Sequence, residues 1–304
     1  MLIGAGISLS RVLRDVARGA LVMLLFDTVV AIAYVKFGWG WLALPHIPLA
    51  IFGGVIGAIV GFRNNSAYAR WWEARTLWGQ IVNQSRSLAR QTLSMVEDCK
   101  SCDPSQRIRI QRQIIFLQIA YVHALRCQLR GLPPWEDLER LLDSETVGRF
   151  RSCRNVAVCI QKEIALLVAE CFNQGWIDNL RWSAMDRTLS ELMNAQGGAE
   201  RIKNTPMPKH YDVFPQLFVS VYCVLLPLGM VQSLELFTPL GSSLVGVIFM
   251  ALDEIGRDLE NPFDNGVHDV ALNAITRTIE IDLKQLVGEA NLPQPEKVVN
   301  GVLW

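Results

Sequence analysis

The sequence predicts an all-α membrane protein with four transmembrane helices and a large cytoplasmic helical region. Hydrophobic residues make up 51% of the 304 positions and charged residues 19%, and the mean hydropathy of +0.24 exceeds that of an ordinary soluble domain. The longest apolar runs form two blocks, each interrupted by a turn, and no strand-type alternation lasts long enough to build a sheet. A soluble helical protein with buried core helices is the alternative.

The first apolar block has the pattern of a helical hairpin. Residues 20–35 are apolar apart from Asp27 and its neighbour, and residues 41–62 contain no ionisable side chain except His46. Each run approaches the roughly 20 residues that a spanning helix needs. The GWG sequence at 38–40 supplies a tight connection between them, so we expect two transmembrane helices here.

The second block covers about 213–252 and is interrupted by LELFTPLG at 234–241, which leaves room for two more spans. Basic residues flank the spans on one side of the membrane, and the positive-inside rule then places both termini in the cytoplasm. These basic residues are Arg11, Arg14, Arg18, Arg63, Arg70, Arg75, Lys203, Lys209 and Arg257. The expected segments are 1–62 with the first two membrane helices, 63–209 as the cytoplasmic region, 210–252 with the other two membrane helices, and 253–304 as a cytoplasmic helix and tail.

The second span is expected to continue beyond the membrane as one long helix. No proline lies between Ile51 and Asp103, and apolar or small residues recur with alternating three-and-four spacing at 71, 74, 78, 81, 85 and 88. Nearly fifty helical residues would extend on the order of 70 Å. Further helices are predicted at 105–130, 135–143, 145–175, 180–196 and 266–290. The tail at 293–304 has no period and is interpreted as an extended arm on a neighbour or as disordered.

The cysteines and the charge balance exclude several classes of protein. The chain carries 29 basic and 29 acidic residues, so no net field indicates nucleic acid as a partner. Seven cysteines are an odd number, which favours reduced cytoplasmic thiols over a disulfide framework. Cys99 and Cys102 have half the spacing of a zinc site without a second half. We expect no metal, no cofactor and no cleaved signal peptide.

Small residues line two neighbouring faces of the second span. Gly53, Gly57 and Gly61 recur every fourth position, which is typical of a helix whose backbone is approached closely by another helix. The adjacent face changes along its length from small to aromatic to polar, through Gly54, Ala58, Phe62, Ser66 and Arg70. Around an axis shared by several copies, this face would form an apolar constriction that opens into a hydrated vestibule, and such a constriction can gate by dewetting.

Three separated motifs resemble those of the bestrophin family, especially its bacterial members. They are GFRNNSAYARWWEARTLWG at 61–79, AERIKNTPMPKHY at 199–211 and ALDEIGRDLENPFDNG at 251–266. With the spans in matching order, the resemblance covers nearly the whole chain. It implies a homopentameric ion channel of a bacterial inner membrane, whose second membrane helices line an apolar neck on the five-fold axis.

The resemblance also implies roles for particular residues. By position, the neck falls on Phe62, Ala58 and Gly54, where family members usually carry bulky residues at the last two sites, so a wider neck closed mainly by Phe62 is expected. The vestibule is expected at Asn65, Ser66 and Arg70. A second aperture at the cytoplasmic exit is placed near Ser183, with Met185 as the nearest large apolar residue.

Ion selectivity is the least determined property. Animal members favour anions, and bacterial members that resemble this chain include cation-selective ones, so we expect passage of sodium or potassium and keep chloride as the alternative. Animal members bind calcium through an acidic run after an Asn-Pro-Phe motif. Here Asp264 and Asp269 alone follow that motif, and calcium takes six to eight oxygens, so no calcium activation is expected.

Several polar and aromatic residues near the membrane have two interpretations. Trp71, Trp72 and Trp78 form an interfacial belt or, as their helical spacing favours, pack between subunits. Arg63, Arg70 and Arg75 pair with Asp253, Glu254 or Glu260, or lie among lipid phosphates, and pairing is preferred for Arg63. Asp27 lies inside the first span, where burying a carboxylate is costly, so it is expected to face a polar cavity or a neighbour, or alternatively to be protonated, and it is given no role.

Two functions of other classes were considered. A non-conducting membrane scaffold or transporter subunit would share the predicted fold. A haem-binding redox subunit would use His46 and His210, but such proteins place histidine pairs at matching depths and this chain has only four histidines. Signatures such as GxSxG, HExxH and a P-loop do not occur, so we expect no enzyme.

Overall fold

The computed structural model describes residues 9–97 and 104–304, with side chains at 17–45, 48–97 and 105–304. Every regular element in these ranges is a helix apart from one isolated bridge, so the predicted all-α class is confirmed. The described residues form ten α-helices, which are α1 (Leu9–Phe37), α2 (His46–Met95), α3 (Pro104–Leu129), α4 (Trp135–Leu141), α5 (Ser144–Phe150), α6 (Val156–Asn173), α7 (Asn179–Asn204), α8 (Lys209–Leu234), α9 (Thr238–Glu260) and α10 (Leu272–Leu286). Short 3-10 turns occupy Gly40–Leu42 and Glu235–Phe237.

The chain divides into two compact units. The apolar unit is the described part of Gly4–Trp71 together with Pro206–Asn261, and the polar unit contains the described parts of Trp72–Thr205 and Pro262–Trp304. The single 50-residue helix α2 contributes to both units, which confirms the predicted long helix. Two described segments are long and apolar enough to cross a membrane, Ala17–Phe37 and the 52-residue Lys209–Glu260. The predicted span at 41–62 is not among these candidates.

The apolar unit packs α1, α2, α8 and α9 around a core of aliphatic and aromatic side chains. Met23, Ile56, Val60, Val219 and Tyr222 are buried together there. The direction of the chain reverses between α8 and α9 at the predicted interruption, where Glu235 adopts a positive φ of 46°.

The glycine stripe of α2 has a different environment at each of its three positions. A Cβ at Gly53 would lie 2.3 Å from Tyr222 Oη, whose ring packs edge-on against Phe52 and Phe249. At Gly57 the nearest atom would be 3.9 Å away, and Gly61 has open space. Close helix approach is therefore confirmed at Gly53 alone, and Gly61 has no such contact within the protomer.

The polar unit is organised by the three-and-four stripe of α2. Ala74, Trp78, Ile81, Ser85 and Leu88 are all fully buried, so the packing predicted from their spacing is confirmed. Trp78 is buried inside its own protomer, whereas Trp71 is half-buried and Trp72 is exposed. The packing between subunits that the sequence predicts for these tryptophans stays a prediction.

A chain of side-chain hydrogen bonds crosses the core of the polar unit. Ser85 Oγ on α2 accepts from Gln118 Nε2 on α3 at 2.9 Å, and Gln118 Oε1 accepts from Gln161 Nε2 on α6 at 3.3 Å. Because unpartnered polar groups are costly in a core, these bonds fix the relative register of the three helices.

Three features of the polar unit differ from the sequence predictions. The helix predicted at 145–175 is broken into α5 and α6 at Arg151–Asn155, where Asn155 Oδ1 accepts from Val158 N and caps α6. A disulfide joins Cys153 to Cys159, so the expectation of reduced thiols is wrong at this pair, whereas Cys127, Cys171 and Cys223 are free. The C-terminal tail lies on its own chain, since Ala274 N in α10 donates to Trp304 O at 2.7 Å.

A buried carboxylate on α10 is surrounded by basic side chains. Glu280 is fully buried and contacts Arg140 Nη1 at 2.6 Å, Lys284 Nζ at 2.8 Å and His123 Nε2 at 3.1 Å. These donors hold the pKa of Glu280 below its usual range against the opposing effect of burial. Nearby Asp137 has its pKa lowered to about 2, although burial alone would raise it, by His123 and the flanking arginines. Both acids are stabilised as carboxylates, and this stabilisation is lost as the pH falls from the ordinary acid pKa of about 4 through the lowered values.

We predict that Glu280→Gln lowers the free energy of unfolding by about 1.5–3 kcal/mol, because it removes the charge that strengthens the hydrogen bonds from the partly buried Arg140 and Lys284. Asp282→Asn on the same helix is the matched control. Its pair with Arg86, 2.5 Å apart, is about one-third to one-half exposed, and should contribute about 1 kcal/mol or less. Thermal or denaturant unfolding of the full chain at neutral pH measures both. Equal effects of the two substitutions would show that Glu280 does not stabilise the unit.

We also predict that Gly53→Ala destabilises the protein by about 1–3 kcal/mol, because the packed Tyr222 ring must move to accept a methyl group. Gly61→Ala is the control, since it meets open space and gains about 0.5–1 kcal/mol of helix propensity. Thermal unfolding in detergent distinguishes the two. A Gly53→Ala variant as stable as Gly61→Ala would contradict the close approach.

Candidate functional site

The face of α2 that the sequence predicts as a pore lining is exposed in the protomer. Gly54, Ala58, Phe62 and Ser66 are all exposed and follow one another at intervals of four residues. The Phe62 side chain is 73% exposed, and a Cβ at Gly54 would meet nothing within 4 Å. A large aromatic side chain therefore projects from a strip of residues with small side chains.

The polar continuation of this face begins one turn after Phe62. Asn65 is exposed, and Ser66 Oγ donates to the Phe62 carbonyl of its own helix at 3.0 Å. Arg70 is half-buried and its Nε donates to the Glu260 carbonyl at 2.8 Å. Arg70 thus contacts one of the residues predicted as partners for the arginines, through its backbone oxygen.

Arg63, the residue after Phe62, is buried and forms two ion pairs. Its Nη1 lies 2.6 Å from Asp253 Oδ1 on α9, and its Nη2 lies 3.0 Å from Asp212 Oδ1 on α8. Only 2% of the Arg63 side chain is exposed, and Nη1 also donates to the Asp253 carbonyl at 3.1 Å. The predicted pairing of Arg63 with Asp253 is confirmed.

The pairing with Asp212, 149 positions from Arg63, was not predicted, because the expected partners of the arginines all lay at the end of the fourth span. The signal available was an acidic residue in the first turn of α8, at the same end of the apolar segments as Arg63. Asp253 in turn accepts from Arg257 Nη2 at 2.6 Å. The guanidinium of Arg63 is therefore held by an ionic cluster that joins α2, α8 and α9.

Close packing beside Arg63 reinforces this cluster. Asn64 Nδ2 donates to the Leu252 carbonyl at 2.7 Å. A Cβ at Gly256 would lie 2.2 Å from Asn64 Oδ1, so a larger residue there would force the Asn64 side chain to move. Successive residues of a helix are about 100° apart around its axis. Asn64 lies on one side of the inward Arg63 and contacts α9, and Phe62 lies on the other side, which is exposed.

The two residues predicted for the second aperture have different environments on α7. Ser183 is exposed, but Met185 is completely buried inside the polar unit. Met185 is therefore not available to line an opening, and its assignment is corrected. Two large apolar residues near Ser183 are exposed in the first turn of α7, Leu180 at 82% and Trp182 at 40%.

Other candidate ligands identified in the sequence are held by contacts within the chain or lie outside the described side chains. Asp264 pairs with Lys203 at 2.5 Å, and Asp269 Oδ2 accepts from Gly266 N at 3.0 Å. No group of three or more potential metal ligands occurs among the described residues. Cys99, Cys102 and the His46 side chain are outside the described part of the chain.

The chain is similar to a family and to individual proteins along most of its length. The family model for bacterial and fungal bestrophin proteins matches residues 5–285. A voltage-dependent anion channel-forming protein, RSc3414 of Ralstonia nicotianae, is 36% identical over 82% of this chain and 79% of its own length. The protein YneE of Escherichia coli, named in the same way, is 35% identical over 81% of this chain and 78% of its own.

A solved structure supports the same assignment. A bacterial bestrophin homologue from Klebsiella pneumoniae superposes with a TM-score of 0.83 at 29% sequence identity, covering 90% of this chain and 98% of that one. The family match over most of the sequence and the match to a solved fold agree with each other. The chain is a membrane protein of the bestrophin family.

Proposed function

We propose that this protein is a passive ion channel, assembled as a homopentamer in the lipid bilayer of a bacterial inner membrane. The observation that carries the proposal is the exposed face of α2, where Phe62 projects from a strip of small residues. A single protomer cannot form a constriction with this face. Around a shared axis, five copies of Phe62 would narrow an apolar passage, which can close by dewetting.

The small residues beside Phe62 define the proposed neck. Ala58 and Gly54, one and two turns from Phe62, have little or no side chain to fill the passage, so the constriction is short and depends on the aromatic ring. Asn65 and Ser66 would begin the hydrated vestibule on the other side. Arg63 does not line the passage in this proposal, because its side chain is buried among carboxylates.

A second narrowing is proposed at the start of α7. Ser183 and Leu180 are exposed there, and Leu180 replaces Met185 as the apolar candidate. A leucine exposed in the first turn of a helix is unfavourable, because its apolar surface remains in contact with water. Facing its symmetry copies would remove part of that surface from water.

We propose that the membrane is crossed by α1, the first part of α2, α8 and α9, with both termini in the cytoplasm. The apolar segments Ala17–Phe37 and Lys209–Glu260 support three of these crossings, since the second contains α8 and α9. The ionic cluster around Arg63 would then lie at the membrane edge, where a charge needs a partner.

We propose anions, with chloride as the reference ion, as the permeant species. Support comes from the relatives, which are named voltage-dependent anion channel-forming proteins. These names give no support to the sodium or potassium preference inferred from the sequence. The ring edge of Phe62 carries partial positive charge, which provides a favourable contact for an anion in the neck. No free fixed charge is available from Arg63, which two carboxylates neutralise.

The proposal is tested by the current through purified protein in a planar bilayer under an asymmetric NaCl gradient. A steady current without an energy source and a reversal potential near the chloride equilibrium value are expected. A reversal potential near the sodium value would replace the anion assignment with a cation channel. No current from protein shown to be reconstituted as an oligomer would favour a non-conducting scaffold.

We predict that Phe62→Ala raises the conductance or the open probability several-fold, because it removes the largest apolar group from the neck. Phe237→Ala is the matched control: Phe237 is also 73% exposed but lies in the 3-10 turn between α8 and α9. Single-channel recordings in symmetric salt measure both variants. An unchanged current in Phe62→Ala would remove Phe62 from the gate.

A further inference from the structure

A carboxylic acid lies buried between two helices of the apolar unit. Asp27 in the middle of α1 is fully buried. Its Oδ2 is 2.5 Å from Ser242 Oγ and 2.8 Å from Ser243 Oγ, both on α9. Its Oδ1 is buried and has no hydrogen-bond partner. Of the two surroundings that the sequence predicts for Asp27, a polar cavity or a neighbour, the structure shows a neighbour, because the two serines of α9 contact it.

The number of hydrogens at Ser242 determines which group donates. Ser242 Oγ lies 2.5 Å from Asp27 Oδ2 and 2.6 Å from the Thr238 carbonyl. A hydroxyl has one hydrogen to donate and a carbonyl oxygen has none. If Ser242 donates to Thr238, the short contact with Asp27 needs a hydrogen from Asp27 itself. A proton on Oδ2 completes the series in which Ser243 donates to Asp27, Asp27 to Ser242 and Ser242 to Thr238.

No basic side chain compensates a charge at this position. Within α1, Arg18 and Lys36 are exposed and each lies nine residues from Asp27, roughly 13 Å along the helix axis. The titratable group that faces Asp27 from α8 is the thiol of Cys223. The turn before α9 carries Glu235, which is exposed. Among the residues that the structure describes, the hydrogen bonds to Asp27 come from serine hydroxyls alone.

The unpartnered Oδ1 also favours the neutral acid. In a carboxylate this atom would share the negative charge, and burying it in an apolar bundle without a donor or cation is very costly. In a carboxylic acid protonated at Oδ2, Oδ1 is an uncharged carbonyl oxygen, and leaving it bare costs much less.

We propose that Asp27 is a proton-binding site of the apolar unit, which joins α1 to α9 through Ser242 and Ser243 when the proton is bound. Loss of the proton leaves a negative charge between the two helices and one hydrogen too few for the contacts at Ser242. The two helices are then held less firmly. The ligand is a single proton, and this role is independent of which ion the protein conducts.

Infrared spectroscopy of the purified, reconstituted protein tests the proposal, because a carboxylic acid and a carboxylate have separate carbonyl bands. At neutral pH we expect an acid band in the wild type that is lost in Asp27→Asn. Asp282→Asn, at a partly exposed ion-paired acid of the polar unit, is the control and should leave the band in place. An acid band that is the same in wild type and Asp27→Asn would show that Asp27 is ionised and would overturn the proposal.

A second variant retains the acid and changes only its partner. Ser242→Ala should shift the frequency of the acid band without removing it, since the hydroxyl that accepts a hydrogen bond from the Asp27 acid is gone. Ser220→Ala, at an exposed serine of α8 whose hydroxyl bonds to Gln216 O, should cause no shift. Equal spectra of Ser242→Ala and wild type would contradict the assignment even if Asp27→Asn does not fold.

The effect of sodium on thermal stability shows whether Asp27 binds a proton or a metal cation. The thermal stability of the wild type at neutral pH is expected to be the same in sodium and choline chloride at equal ionic strength. A sodium-dependent rise in melting temperature that Asp27→Asn abolishes would overturn the proton assignment in favour of a cation site.

Discussion

The apolar unit depends on the ionic contact of Arg63 with Asp212 and Asp253. A guanidinium that is 2% exposed requires its counter-charges, because removing one partner of a buried pair typically costs about 3–5 kcal/mol. The ion pairs of Arg63 determine geometry as well as stability. They join α2 to α8 and α9 at the level where the apolar face of α2 ends, and they set the rotation of α2 about its own axis. With Arg63 turned inward, Phe62 lies about 100° around the helix on the exposed side of α2. The orientation of the exposed aromatic side chain is thus linked to that of the buried charge beside it.

Three buried ionisable groups are stabilised in three different ways. Arg63 has two carboxylates as partners, Glu280 has arginine, lysine and histidine side chains, and Asp27 has only hydroxyls. The first two remain charged because each has a compensating partner within hydrogen-bond distance. Asp27 has no such partner. The proposed neutral form avoids the free-energy cost of an unpaired charge in an apolar bundle. The difference follows from the neighbours supplied by the facing helices and not from the depth of burial, which is nearly complete for all three.

Local patterns in the sequence were sufficient for the helices but not for every contact between them. The spacing of Ala74, Trp78 and Ile81 predicted the buried face of α2, and the charge at the end of an apolar run predicted a partner for Arg63. The break between α5 and α6 was missed because Arg151–Asn155 contains no glycine or proline, and its cap depends on the side chain of Asn155. Met185 was misplaced because one residue corresponds to about 100° around a helix. An uncertainty of a few residues therefore decides between a buried and an exposed side chain, which only the packing of α7 resolves.

The exposed face of α2 also explains why the proposed function requires assembly. A single protomer presents one Phe62 ring on a strip that includes Gly54 and Ala58, and a constriction needs equivalent rings on opposite sides of an axis. The orientation of each ring is set by the Arg63 cluster of its own protomer, so the diameter of the neck would depend on an ionic contact that the permeating ion never touches. Weakening the pair with Asp212, which is 43% exposed, should perturb the rotation of α2 less than weakening the pair with Asp253, which is 5% exposed. Solvent screens the first pair and hardly reaches the second. The contact with Asp253 is therefore the one on which the geometry of the proposed neck would chiefly depend.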